Sequence, residues 1–215
     1  MLRVGLTGSI GVGKSFVSGV LAQLGCRVLD ADQTARDVVA PGSPALLEVV
    51  AAFGPELLLT DGNLNRAKLG ALVFADANAR ARLNSILHPH IIAQQDEQLR
   101  RWEAEAPDSI AVVDAALMIE SGGYQRFDKL IVVHCRPEVQ RQRLMARDNL
   151  SEDEVEKRIG AQLSQDEKKR FADYLIDTSA GFADARSATW EVYAKLIAES
   201  RRIRTEPFAR ANLTR

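Results

Sequence analysis

The chain has 215 residues, 46% of them hydrophobic and 27% charged, with a formal net charge of −1 and a pI near 6.3. This length supports one well-packed domain with an inserted or appended lobe, and the charge balance excludes a global basic field for nucleic acid. No stretch approaches the ~18 apolar residues of a membrane span.

Met1-Leu2-Arg3-Val4 runs straight into a strand with no charged-then-apolar leader. The next landmark is a glycine-rich turn that stops the apolar run Leu2–Leu6. From Lys14 to Leu24, Val17, Val20, Leu21 and Leu24 fall at helical spacing, and Gly25 is placed to end that helix. Cys26–Leu29 reads as a second buried strand closing on Asp30-Ala31-Asp32. Cys26 and the later Cys135 sit in or beside apolar runs, as inert thiols of a reducing compartment do. The expected setting is the cytoplasm, with the protein a monomer or small homo-oligomer.

A long helical stretch follows, broken at Pro41-Gly42-Ser43-Pro44 and again at Thr60-Asp61-Gly62-Asn63. Ala77 to about Glu105 carries helical periodicity, with an interruption predicted near His88-Pro89. This block, about 33–107, far exceeds a usual connection of roughly 2–6 residues and reads as an inserted helical lobe. Ile110–Val113, ending in Asp114, and Lys129–Cys135 are the third and fourth strands. Helices are predicted over about Glu138–Arg147, Glu152–Leu163 and Gln165–Ala172, the last two opened by S-x-x-E boxes at Ser151 and Ser164. Tyr174–Ile176 is a brief fifth strand, Phe182–Ser200 a closing helix, and Arg201–Arg215, with five arginines, a flexible tail. Trp102 and Trp190 fall in helices as packing residues. Continuous apolar strands alternating with helices indicate an α/β fold, a five-stranded parallel sheet covered on both faces.

Gly8-Ser-Ile-Gly-Val-Gly13-Lys14-Ser15 satisfies G-x-x-x-x-G-K-[ST], between a predicted strand and a predicted helix. The glycines let backbone N–H groups curl around an anion, and the helix that follows presents its positive end. Gly11, Val12, Gly13, Lys14, Ser15 and Phe16 are the expected nucleotide contacts. Lys14 supplies a point charge to the β- and γ-phosphates, and the Ser15 hydroxyl can ligate Mg²⁺. ATP and Mg²⁺ are therefore the expected donor and metal, in a three-layer P-loop fold of the nucleoside-monophosphate-kinase kind.

Such loops serve motors, switches and small-molecule kinases alike. Asp32, just past the second strand, is placed to take the proton of an attacking hydroxyl, and Arg36 to hold an anionic acceptor; the competing reading is a helix N-cap with a solvated arginine. The inserted lobe suits an enzyme that encloses a bulky acceptor. Arg136, Arg143 and Arg147 recur at helical spacing, as in a lid (about 136–172) that neutralises a moving phosphoryl group. A second small-molecule kinase reading, with a nucleotide or nucleoside acceptor, and a non-enzymatic switch stay open on these residues.

Nearly the whole chain resembles the dephospho-CoA kinase family, through "GLTGSIGVGKS", "DADQTARDVV", "DGNLNRAKLGALVF", "ILHPHI", "ALMIESG", "FDKLIVVHC", "QRQRLMARD", "RIGAQLSQDEKKRFADYLID" and "TSAG". The resemblance implies transfer of the ATP γ-phosphate to the ribose 3′-hydroxyl of dephospho-CoA, the last step of coenzyme A synthesis. It implies Lys14 as the phosphate-gripping lysine, Asp32 as base, Arg143 as lid arginine, and Arg36, His88 and Glu120 on the acceptor side. The family usually has a proline where Ala116 stands, a glycine one position before Gly181, and a smaller residue at Phe16. Asp114 closes the third strand, where P-loop proteins often keep a carboxylate for Mg²⁺. His88, His90 and His134 lack the spacing of a metal cluster.

Overall fold

The strand that leads into the glycine-rich loop, β1 (Leu2–Thr7), is flanked on both sides. The computed structural model describes residues 1–205, and among them five strands form one sheet in the order β2-β3-β1-β4-β5. The other strands are β2 (Arg27–Asp30), β3 (Ile110–Asp114), β4 (Lys129–His134) and β5 (Tyr174–Asp177). β1 pairs in parallel with β3 and β4, and β4 with β5. Period-two alternation sends Leu2, Val4, Leu6, Ile110, Val112, Ile131 and Val133 into one core. They meet Val17 and Leu21 of α1 (Lys14–Gln23) and Val192 and Leu196 of α9 (Phe182–Thr205) there. On the opposite face, Met118 and Phe127 close over β1 at Gly5. Register matters for function: Leu6 stands opposite Asp114 and Thr7 opposite Val132, so the loop after β1 opens at the carboxyl ends of its neighbours.

Between β4 and β5 run α6 (Pro137–Asp148), α7 (Glu152–Gly160) and α8 (Gln165–Lys169). Ser151 and Ser164 open α7 and α8 with full capping boxes, each closed by Glu154 or Glu167. Both helices stop short of the predicted Leu163 and Ala172. The residues between them are taken by other partners, since Gln162 accepts from the Ile10 N–H and Leu163 donates to Glu120.

The chain divides into two units: Met1–Leu29 with the residues from Trp102 on, and Asp30–Arg101. The second unit holds α2 (Ala31–Asp37), α3 (Pro44–Phe53), α4 (Arg66–Ala75) and most of α5 (Ala77–Glu105). Asp30, Ser43 and Asn65 cap the first three through side-chain oxygens. Val38, Leu46, Val49, Leu57, Leu64, Leu69 and Leu83 form its own core.

Four expectations need correction. β2 is half-exposed rather than buried, because it is an edge strand with a neighbour on one side only. No break occurs at His88-Pro89: α5 runs unbroken through Pro89, although an interior proline costs about 3 kcal/mol in a helix. Buried Leu83, Gln95 and Leu99 lie on both sides of Pro89 and hold the two halves in register. Trp190 is 54% exposed and packs little, whereas Trp102 lies under the Arg27 guanidinium. The closing helix extends to Thr205, into the stretch expected as tail, and residues 206–215 lie outside the described residues. Among the described residues no helix is long and apolar enough to cross a membrane.

Candidate active site

Gly11 and Gly13 have φ of +79° and +86°, a backbone region that residues with a Cβ disfavour. These two turns bend the loop so that Gly13 becomes the N-cap of α1. The first N–H groups of a helix have no partner within it. Among the described residues the N–H groups of Gly11, Gly13, Lys14 and Ser15 find no backbone acceptor elsewhere either. The loop and the positive end of α1 therefore carry four N–H donors without a backbone partner, a donor set suited to phosphate oxygens.

Lys14 Nζ pairs with Asp114 Oδ1, their side chains only 16% and 9% exposed. The pair follows from the register of β1 and β3, which sets Asp114 beside Leu6 just before the loop begins. Ser15 is exposed in the first turn of α1. A hydroxyl and a carboxylate at this loop are hard oxygen ligands, so the residues present fit a Mg²⁺ ion held with phosphate oxygens.

Arg143 is the member of the arginine run that reaches the loop. Its Nη1 donates to Thr178 Oγ1 and its Nη2 to Thr178 O, each at 2.8 Å. Thr178 Oγ1 in turn donates to Val12 O at 2.7 Å, and Nη1 lies 3.4 Å from where a side chain at Gly13 would begin. The guanidinium is thus held beside the loop by its two bonds to Thr178. Arg147 is instead paired with Asp148, and Arg136 supplies a backbone N–H to Ser179 Oγ from an exposed position. Phe16 turns away toward α9, with its ring centroid 4.8 Å from that of Phe182 and the Arg186 guanidinium over its face.

In the second unit, a cavity of about 300 Å³ is walled by Val39, Leu64, Leu69, Val73, Leu83 and Leu87 and edged by Asp32, Arg36 and Arg66. The helix cap at this point is Asp30, whose Oδ1 accepts from the Asp32 and Gln33 N–H groups. Asp32 is therefore relieved of capping, and among the described residues its exposed carboxylate makes no hydrogen bond or ion pair. Arg66 was not singled out in the sequence, though it follows the cap Asn65 within "DGNLNRAKLG". Its Nη2 donates to Arg36 O at 3.0 Å, tying α4 to α2. His88 is exposed on α5 and does not line the cavity; His90 binds Glu48 at 3.1 Å.

Glu120 belongs to the first unit, where its Oε1 accepts from Lys168 Nζ at 2.8 Å and from the Leu163 N–H at 3.1 Å. Cys26 and Cys135 are free and buried; burial pushes the Cys26 thiol up to about 12 and raises that of Cys135 as well. Both are inert as nucleophiles. Burial, then the nearby Lys169 charge, lowers the His134 pKa and keeps that ring neutral at pH 7.

Residues 2–184 match the sequence model of the family described as dephospho-CoA kinase. A dephospho-CoA kinase of Thermobifida fusca is 42% identical over 197 residues, covering 91% of this chain and 96% of that protein. One from Geobacter sulfurreducens is 42% identical over 192 residues, covering 89% and 97%. Among solved structures, a Thermus thermophilus protein superimposes with a TM-score of 0.77 at 31% identity, covering 91% of this chain and 97% of its own. A dephospho-CoA kinase from Campylobacter jejuni gives a TM-score of 0.70 at 28% identity, with coverage of 92% and 98%.

Proposed function

This chain belongs to the dephospho-CoA kinase family, and from that premise we propose how its own residues carry the reaction. The reaction is transfer of the ATP γ-phosphate to the ribose 3′-hydroxyl of dephospho-CoA, giving CoA and ADP, the last step of coenzyme A synthesis. Phosphoryl transfer asks a protein mainly to position two oxygens in line and to neutralise charge.

The N–H groups of Gly11, Gly13, Lys14 and Ser15 take the phosphate oxygens of ATP. Lys14 exchanges its contact with Asp114 for the β- and γ-phosphates, a trade between two anions that leaves the ammonium paired throughout. Ser15 and Asp114 would hold Mg²⁺, which would supply further neutralisation of the triphosphate. Arg143, pre-set by its two bonds to Thr178, faces the charge that moves off the γ-phosphate, so little reorganisation is needed as the reaction proceeds. Its anchoring distinguishes it from a freely swinging lid arginine.

On the acceptor side, Arg36 and Arg66 bind the diphosphate of dephospho-CoA, and the apolar wall of the cavity takes an uncharged part of the molecule. Asp32, free of any cap or ion pair, accepts the proton of the 3′-hydroxyl. The setting is the cytoplasm, where the two buried thiols stay reduced.

The observation that carries this reading is the cavity itself: an apolar pocket edged by one unpartnered carboxylate and two arginines, within the unit inserted between β2 and β3. The test is ADP release with purified protein, ATP and Mg²⁺, comparing dephospho-CoA with AMP, CMP and nucleosides. Rapid turnover of dephospho-CoA alone, with CoA as product, is expected. Faster turnover of AMP, CMP or a nucleoside would assign the cavity to another acceptor.

A further inference from the structure

The stretch A-Q-x-x-x-x-E-K, Ala161 to Lys168, has no part in the mechanism so far, yet it reaches the phosphate loop from the far end of the sequence. Gln162 Oε1 accepts from the Ile10 N–H at 2.9 Å. The carbonyl of the same residue is taken from another side: Gln140 Nε2 donates to Ile10 O at 2.7 Å. Gln140 is buried and cannot turn, because its own Oε1 accepts from Gln165 Nε2 at 2.7 Å, and Gln165 Oε1 accepts from the Cys135 N–H at 2.9 Å. Both polar backbone atoms of Ile10 are therefore clamped.

This clamp has a consequence for the ligand-facing side of the loop. In a trans peptide the C=O and the next N–H point in opposite directions. Holding Ile10 C=O toward Gln140 aims the Gly11 N–H away from Gln140, where it has no backbone partner among the described residues. Gly11 and Gly13, with no Cβ, would otherwise let these peptides rotate freely.

Lys168 anchors the segment that carries Gln162. It is 0% exposed, and its Nζ donates to Ala116 O at 2.7 Å and to Glu120 Oε1 at 2.8 Å. The same Glu120 oxygen takes the Leu163 N–H at 3.1 Å, and Ser9 Oγ donates to Leu163 O at 3.3 Å. Ala116 O also accepts from Thr7 Oγ1, at the last residue of β1. One buried ammonium thus joins the turn after β3, the end of β1 and the α7–α8 segment.

We propose that Gln162 and Lys168 are positioning residues for ATP: Gln162 holds the phosphate loop in its donor-out form, and Lys168 holds Gln162. Neither touches substrate. The proposal rests on the loop being the ATP-phosphate site, so Lys14→Ala is measured beside it.

Calorimetric titration of Gln162→Ala with Mg²⁺ and ADP, and separately with dephospho-CoA, tests this directly. The expected result is an ADP affinity weakened about tenfold with dephospho-CoA affinity unchanged, matched by a rise in KM for ATP alone, the size of one lost buried hydrogen bond. Lys168→Met is expected to weaken ADP at least as much, and the double variant no more than Lys168→Met by itself, because both act on one segment. If Lys168→Met fails to fold, Gln162→Ala still decides. Unchanged ADP affinity in Gln162→Ala while Lys14→Ala loses it overturns the positioning role. So does a parallel loss of both ligands that tracks a fall in Tm. Unchanged ADP affinity in Lys14→Ala too overturns the phosphate-loop reading beneath it.

Discussion

In the phosphate loop the groups proposed to face ATP are backbone amides, aimed by peptide planarity, two positive-φ glycines and side-chain amides from α6 and the α7–α8 connection. In the second unit they are the ends of Asp32, Arg36 and Arg66 at the rim of an apolar cavity, and among the described residues only the Arg66 guanidinium of the three is anchored, to the Arg36 carbonyl. A backbone site is rigid and indifferent to what carries the phosphate. A side-chain site is adaptable and selects the acceptor by shape and charge. The two regions should therefore respond to substitution in different kinetic parameters.

The sharpest way to break that division is at its most charged residue. Lys14→Ala is expected to lower kcat by roughly 10³-fold or more, since it removes the point charge on the transferring phosphate. Steady-state kinetics with circular dichroism checks this; a folded variant with near-native turnover would remove Lys14 from the chemistry. Next in size is Asp32→Ala, expected to cost roughly 10²–10⁴-fold in kcat with KM for ATP unchanged, the range for loss of a general base. A raised KM for ATP without loss of kcat would move Asp32 out of the acceptor site.

Arg66→Ala sharpens the comparison further. It is expected to raise KM for dephospho-CoA about tenfold and leave KM for ATP unchanged, as loss of one charge-assisted contact does. The smallest effect belongs to Phe16→Ala. Losing the Phe182 contact is expected to cost about 1 kcal/mol and lower Tm by roughly 2–4 °C, with kcat nearly unchanged. A large drop in kcat there would place the aromatic pair at the nucleotide instead of in the packing of α1 on α9.

These regions were also unequally legible in the sequence. The loop could be read because its chemistry needs glycine, lysine and serine at fixed local spacing, and the capping boxes at Ser151 and Ser164 are equally local. The clamp on Ile10 could not, since Gln140 and Gln162 lie 130 and 152 positions from it and a glutamine in a helical stretch looks like any solvated residue. Arg66 was hidden for the same reason: an arginine after a helix cap carries no local mark of a cavity. An apolar run such as Cys26–Leu29 reports a strand but not how many neighbours it has, and so the edge position of β2 stayed invisible. Pro89 misled because proline's cost is local whereas the packing that holds α5 together is not.

The division of labour itself is tested most directly by amide hydrogen exchange, with Mg²⁺ and ADP added in one experiment and dephospho-CoA alone in another. The account predicts that ADP slows exchange in the loop and first turn of α1, residues 11–16, while dephospho-CoA slows it in α2 and α4 around Asp32, Arg36 and Arg66. Protection of one and the same region by both ligands, or of the second unit by ADP alone, would contradict it.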